Sequence, residues 1–193
     1  MMTKRECSVG GCERSHLAKG MCKLHYYRFY RRGHVFSNLQ LLEDQFKALD
    51  SHKLAYAAGY LDADGSFMLA SDKGNVAVPR ISAVSIDRPV LEFMVSLFGG
   101  TMRSVSRKNP NPKHKPIFVW NITDARAIAV ARVVMPYLVI KGVQAYLLSC
   151  FDYESKWEKG GVDVTMPPQE KSRRHDLMLE MRDWNARAYF ERA

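Results

Sequence analysis

The stretch Ala57-Ala-Gly-Tyr-Leu-Asp-Ala-Asp-Gly-Ser66 constrains this chain more than any other. Asp50-Ser51 is a helix-start signal, and HKLAYAAGYLDA after it reads as a helix ending at Asp64-Gly65, where glycine can take the left-handed conformation. Ala55, Ala58 and Gly59 carry almost no side-chain bulk, so two such helices can approach backbone to backbone. That surface suits pairing with a copy of itself. Asp62 and Asp64 stand at the C-terminal end of the same helix, so pairing brings carboxylates of two subunits together. Like charges held close are costly unless a cation lies between them. Hard oxygen donors favour Mg2+, which keeps its waters and touches phosphates. A lone DxDG is also a common surface turn. A calcium loop is not supported, because the later acidic positions and the terminal Glu of an EF-hand are missing.

Around this helix the chain reads as α+β. SNLQLLEDQFKALD places Leu39, Leu42, Phe46 and Leu49 on one helix face, with Ser37 as N-cap. FMLAS, VPRISAVSI, TMRSVS and PIFVWNI are strand candidates, separated by the turn 72–75 and the proline-rich loop 109–112. PVLEFMVSLFGG lies between the second and third as a helix, opened by Pro89 and closed by two glycines. Residues 124–135 and roughly 141–155 read as two more helices, parted by Pro136. Helix, two strands, helix, two strands, helices is the order of a small antiparallel sheet with helices on one face. Arg80, Ser82, Arg103, Arg107 and Asn121 are the candidates for its open face. In the tail, Leu177, Leu179, Met181 and Trp184 mark a packing helix, with Arg173 and Arg174 as backbone contacts.

Charge narrows the partners. The formal net charge is +9, and the excess is concentrated. Residues 1–36 hold eight Lys/Arg against Glu6 and Glu13, and residues 103–115 carry Arg103, Arg107, Lys108, Lys113 and Lys115 with no acid. Such clusters attract a phosphate backbone and make binding salt-dependent. No segment reaches the length and apolarity of a membrane span, and MMTKRECSVGG has no apolar stretch behind it, so no membrane role is expected. An intracellular protein, cytoplasmic or nucleoid-associated, is the expectation.

The head carries a second chemistry. Cys7-x4-Cys12-x9-Cys22-x2-His25 offers four ligands of the types Zn2+ prefers, a close pair at each end with a spacer between. Three of the four cysteines fall in this segment, which is too small for a core of its own. His16 is an alternative ligand. Tyr26, Tyr27, Phe29 and Tyr30 alternate with Arg28, Arg31 and Arg32, so apolar anchoring and phosphate contact share one short helix. The expected division is a zinc-binding module over 1–36, a helical connector over 37–50 and a main domain over 51–193.

The AGxxDADG core of the motif resembles the signature of LAGLIDADG homing endonucleases, with Ala57 in place of the first Leu and Tyr60-Leu61 in place of Leu-Ile. The similarity extends over roughly residues 50–150, through Pro89-Val-Leu-Glu-Phe, Leu97-Phe-Gly-Gly100 and Met135-Pro-Tyr-Leu-Val-Ile-Lys-Gly-Val-Gln144. It implies a sheet saddle backed by helices and an Mg2+-dependent phosphodiester hydrolase, with the structural Zn2+ module read from the Cys/His spacing standing in front. By the same resemblance, Asp64 and the Ala63 carbonyl hold the catalytic metal, and Lys141 and Gln144 complete the catalytic set. Asp62 is expected to be structural at the helix interface, and Ser85 and Asp87 are candidates for a polar helper. One motif supplies half an active site, so Ala55, Ala58, Gly59 and Asp62 form a homodimer interface over a pseudo-palindromic duplex. Arg28, Arg31, Arg32, Arg80, Ser82, Arg103, Arg107, Lys113 and Lys115 then contact DNA. The alternative function is a non-cleaving binder on the same fold, an intron maturase or a transcription regulator.

Overall fold

The computed structural model describes residues 6–9, 12–32, 38–72, 76–105, 115–151 and 168–190. At the front, β1 (His16–Ala18) and β2 (Met21–Cys22) form a hairpin, and α1 (Lys23–Arg32) packs on both. Lys19 and Gly20 both take positive φ, the backbone that a tight hairpin turn needs. His16 secures this turn by accepting the Gly20 amide at 3.0 Å.

Next come α2 (Asn38–Lys47) and α3 (Ser51–Asp64). Ser37 lies outside the described residues, but the apolar stripe of α2 packs as its spacing predicts: Leu39 and Phe46 are buried and Leu42 lies against the core. Burying a Leu and a Phe contributes about 4 kcal/mol, enough to seat a helix this short. α3 starts where expected, with the Asp50 carboxylate accepting the Lys53 amide at 3.1 Å. Its end differs from expectation. Gly65 is extended (φ −81, ψ 160) and passes straight into a strand, so no left-handed residue is needed. The glycine is required for space: a Cβ there would stand 2.6 Å from the Leu61 carbonyl oxygen and 2.7 Å from the Leu61 Cα.

The main sheet is formed by β3 (Gly65–Asp72), β4 (Val76–Ser85), β5 (Thr101–Val105) and β6 (Ile117–Thr123), antiparallel in the order β3-β4-β6-β5. Between β4 and β5 runs α4 (Arg88–Phe98), closed by Gly99 and Gly100 at φ 68 and 94. Then follow α5 (Asp124–Val134), a 3-10 turn (Met135–Tyr137), α6 (Gly142–Ser149) and α7 (Pro168–Phe190). α6 stops at Ser149, short of the expected 155.

The inner face of the sheet carries Phe67, Leu69, Ile81, Ala83, Trp120 and Ile122, all buried beneath the helices. Phe46 of α2, Phe98 of α4 and Trp120 of β6 form a continuous aromatic line, and the Trp120 indole donates to the Gly99 carbonyl at 2.8 Å. Arg132 of α5 pairs with Glu43 of α2 and donates to the Ser149 carbonyl at 2.9 Å, tying three helices together. α7 lies along β3 and β4 and adds Met181 to the core. Arg174 of α7, expected as a backbone contact to nucleic acid, is instead buried inside the molecule, whereas the Arg173 side chain remains 40% exposed. Both bond Glu170, and Arg174 is only 1% exposed, over the Phe151 ring.

Candidate active site and metal cluster

Successive residues of a helix turn by about 100°, so Asp62 and Asp64 face nearly opposite ways. Asp62 points inward and is 5% exposed. Its carboxylate accepts three consecutive amides, Val139 at 2.6 Å, Ile140 at 3.2 Å and Lys141 at 2.9 Å. The loop after the 3-10 turn is therefore moulded onto the end of α3. Asp64 faces solvent, as do its neighbour Ala63 and, one and two turns back, Gly59 and Ala55.

The same clamp delivers Lys141. Its ammonium donates to the carbonyls of Leu61 at 2.9 Å, Ala63 at 3.3 Å and Gly65 at 2.6 Å, at the negative pole of α3. Tyr60, one turn before Asp64, borders this corner and donates to the Val84 carbonyl at 3.2 Å. Burial raises its phenolic pKa against the lowering effect of a hydrogen bond with Ser85, and the charges of Asp64 and Asp87 add to the rise. Ser85 also accepts the Asp87 amide at 2.9 Å, just ahead of α4. The i, i+4 spacing of Tyr60 to Asp64 could have marked the tyrosine as a member of this corner from the sequence.

Gln144 lies in the first turn of α6 and is 3% exposed, its side-chain oxygen without a hydrogen-bond partner among the described residues. Ala58 is fully buried under α3, on the core side. The exposed strip of that helix consists instead of Ala55, Tyr56, Gly59 and Ala63.

Register places the open-face residues. Ser66, Ser82, Asn121 and Thr101 lie in one row across the four strands, and Met68, Arg80 and Thr123 in the next. Arg103 pairs with Val119, beside exposed Val84. Arg80, Ser82, Arg103 and Asn121 thus share the face opposite the core, as alternation from Phe67, Ile81 and Ile122 requires. Lys115 is exposed just before β6. Arg107 and Lys113 lie outside the described residues, and the described part of Arg28, Arg31 and Arg32 is their backbone on α1.

The four predicted metal ligands converge. The Sγ atoms of Cys7, Cys12 and Cys22 and a ring nitrogen of His25 lie within 4.8 Å of one another. Cys12 and Cys22 sulfurs are 3.9 Å apart, and His25 Nδ1 is 3.2 Å from Cys7 Sγ and 3.5 Å from Cys22 Sγ. A tetrahedral ion with bonds of about 2.3 Å to sulfur and 2.0 Å to nitrogen gives edges of about 3.8 and 3.5 Å, so the donor set fits a structural metal ion. His16 stays outside the cluster because its ring is engaged by Gly20. Burial raises the Cys7 thiol, but hydrogen bonds from His25 and the Cys22 and Val9 backbone outweigh it and bring the pKa to about 6.

In overall structure the chain is distantly similar to LAGLIDADG homing endonucleases. Among the solved structures, the homing endonuclease I-CvuI bound to its target aligns with 20% identity over 51% of this chain, at a TM-score of 0.40. LAGLIDADG homing endonuclease I-GzeII with its DNA target aligns with 20% identity over 50% of this chain, at a TM-score of 0.38. An archaeal intron-encoded homing endonuclease complexed with DNA aligns with 15% identity over 70% of this chain and 98% of its own, at 0.41. The aligned part spans 66% of the I-CvuI chain and 33% of I-GzeII. No protein-family model and no curated protein sequence matches the chain. No helix among the described residues is long and apolar enough to cross a membrane.

Proposed function

We propose that this protein is a metal-dependent homing endonuclease that cuts double-stranded DNA as a homodimer. The observation that carries the reading is the exposed face of α3. A Cβ on Gly59 would meet nothing within 4 Å, so nothing among the described residues calls for a glycine there. Glycine inside a helix costs about 1 kcal/mol relative to alanine. A second copy lying along Ala55, Gly59 and Ala63 supplies the reason, since backbones approach closely only where side chains are absent. Val139, 90% exposed, and Ile140, which Asp62 ties to the end of α3, extend that surface with apolar area. The pairing places two Asp64 carboxylates near one axis.

Asp64 and the Ala63 carbonyl are the oxygen donors that would hold Mg2+ there, and the ion, when bound, activates water and offsets charge on the phosphodiester. Lys141 stands at the same corner to stabilise negative charge developing on the phosphate. Arg80, Ser82, Asn121 and Arg103 face base edges in the major groove of each half-site. Lys115, with Arg28, Arg31, Arg32, Arg107 and Lys113, holds the backbone and sets the register. The head binds Zn2+ as a structural ion.

The test is a paired assay on a target recovered from a randomised duplex library, with gel shift and plasmid cutting in Mg2+ on wild type and Asp64→Asn. Binding should persist while cutting falls about a thousandfold, the loss of roughly 4 kcal/mol of transition-state stabilisation. Light scattering should find two chains per target. Undiminished cutting by the variant removes the catalytic assignment, and a wild type that binds without cutting moves the protein to the maturase or regulator reading.

A further inference from the structure

At the end of α3 three backbone carbonyls converge on one positive charge, and that charge is a side chain. An ammonium has three N–H donors. Lys141 directs them at Leu61, Ala63 and Gly65, at 2.9, 3.3 and 2.6 Å. The last helical carbonyls and the helix dipole make this a natural cation position. Ala63 is the residue whose carbonyl, together with Asp64, forms the metal site of the proposed function. One oxygen is therefore claimed by two cations.

We propose that Lys141 is an exchangeable internal cation: it holds the Ala63 carbonyl in the metal-free protein and yields it to a divalent ion. The inference rests on the metal reading of Asp64 and goes beyond it, because it links loading of the metal to release of the lysine. In the observed arrangement the ammonium donates to three backbone oxygens. To donate to a phosphate, Lys141 must leave at least one of them. A divalent cation at Ala63 and Asp64 provides the cause, through loss of the shared oxygen and repulsion between like charges. The amide of Lys141 is held separately by Asp62, so the side chain can swing while its backbone stays in place. Lys141 is thereby turned toward the phosphate only when the site is loaded, and DNA bound without metal does not receive its charge.

The test uses the full-length, zinc-loaded protein without DNA. Terbium(III), a hard oxygen-seeking probe, is titrated by luminescence sensitised through nearby tyrosine and competed with Mg2+, on wild type, Lys141→Met, Lys141→Arg and Asp64→Asn. Lys141→Met keeps the stem and removes the charge, and it should bind terbium at least tenfold more tightly than wild type. Lys141→Arg, which keeps the charge, should not gain. In wild type, the 15N-resolved signal of the Lys141 ammonium should shift on adding Mg2+. A folded Lys141→Met that binds no better than wild type overturns the exchange, as does an ammonium signal unmoved at saturating Mg2+; the latter decides even if the variant does not fold. Asp64→Asn separates the two ideas. Metal binding lost in Asp64→Asn with Lys141 indifferent sinks the exchange alone, whereas binding unaffected by Asp64→Asn sinks the metal site and the exchange with it.

Discussion

Two aspartates two positions apart on α3 have opposite environments. Asp62 is a buried acceptor for three amides, and Asp64 is exposed at the corner. Hydrogen bonds to a charged group contribute about 1.5–3 kcal/mol each, and a buried donor left without its acceptor is costly. Asp62→Ala should therefore lower unfolding free energy by about 3 kcal/mol or more, read in urea titrations. Asp64→Asn should change it by less than about 0.5 kcal/mol. Equal losses for the two variants would contradict the assignment of one to architecture and the other to chemistry. The sequence shows that both carboxylates close a helix. Which one turns inward depends on the loop 139–141, which approaches from far along the chain.

At the scale of elements, the head hairpin and α1 bury few residues, and their anchor is the Cys7, Cys12, Cys22 and His25 cluster. A segment this small would draw folding energy from a metal held by this cluster. Metal analysis of purified protein should find one zinc per chain, absent in a Cys12→Ser, Cys22→Ser double variant. Chelation should remove the far-UV signal of α1 while the main sheet persists. Zinc retained by the double variant rejects the assignment. This cluster was legible beforehand because ligand spacing is local, and His16 was excluded only by the turn that engages its ring. The junction of α3 and β3 was half legible. Glycine at 65 was expected for its backbone freedom and is needed for its missing Cβ, since the chain passes against Leu61.

For the whole molecule, α7 adds Met181 to the core and carries within its first turns ion pairs that titrate. The Arg173 guanidinium bonded to Glu170 holds its carboxyl down; burial opposes this, and Arg174 adds to the lowering, to a pKa of about 2 against 4.5. A carboxyl depressed on folding stabilises the native state above its unfolded pKa and loses that contribution as pH falls through the folded one. The window here is pH 4.5 down to 2, and the contribution is at most about 3 kcal/mol. Wild type should therefore lose more stability than Glu170→Gln over this range, measured by urea unfolding at each pH. Parallel curves would show that the pairing of Glu170 does not contribute to stability.

Period and punctuation in the sequence determined the α+β order, the strands, the open-face positions of Arg80, Ser82, Arg103 and Asn121, and the four members of the Cys/His cluster. All of these depend on alternation, helical spacing or short ligand gaps, which are local properties of the chain. Tertiary structure alone decided that Ala58 faces the core while Gly59 faces outward, that Arg174 is spent inside the molecule, and that the Lys141 ammonium lies on the carbonyls of α3. Lys141 and α3 are separated by some eighty positions in the chain, and no pattern along it records where two remote segments meet. The buried carboxylate of Asp62 brings them together.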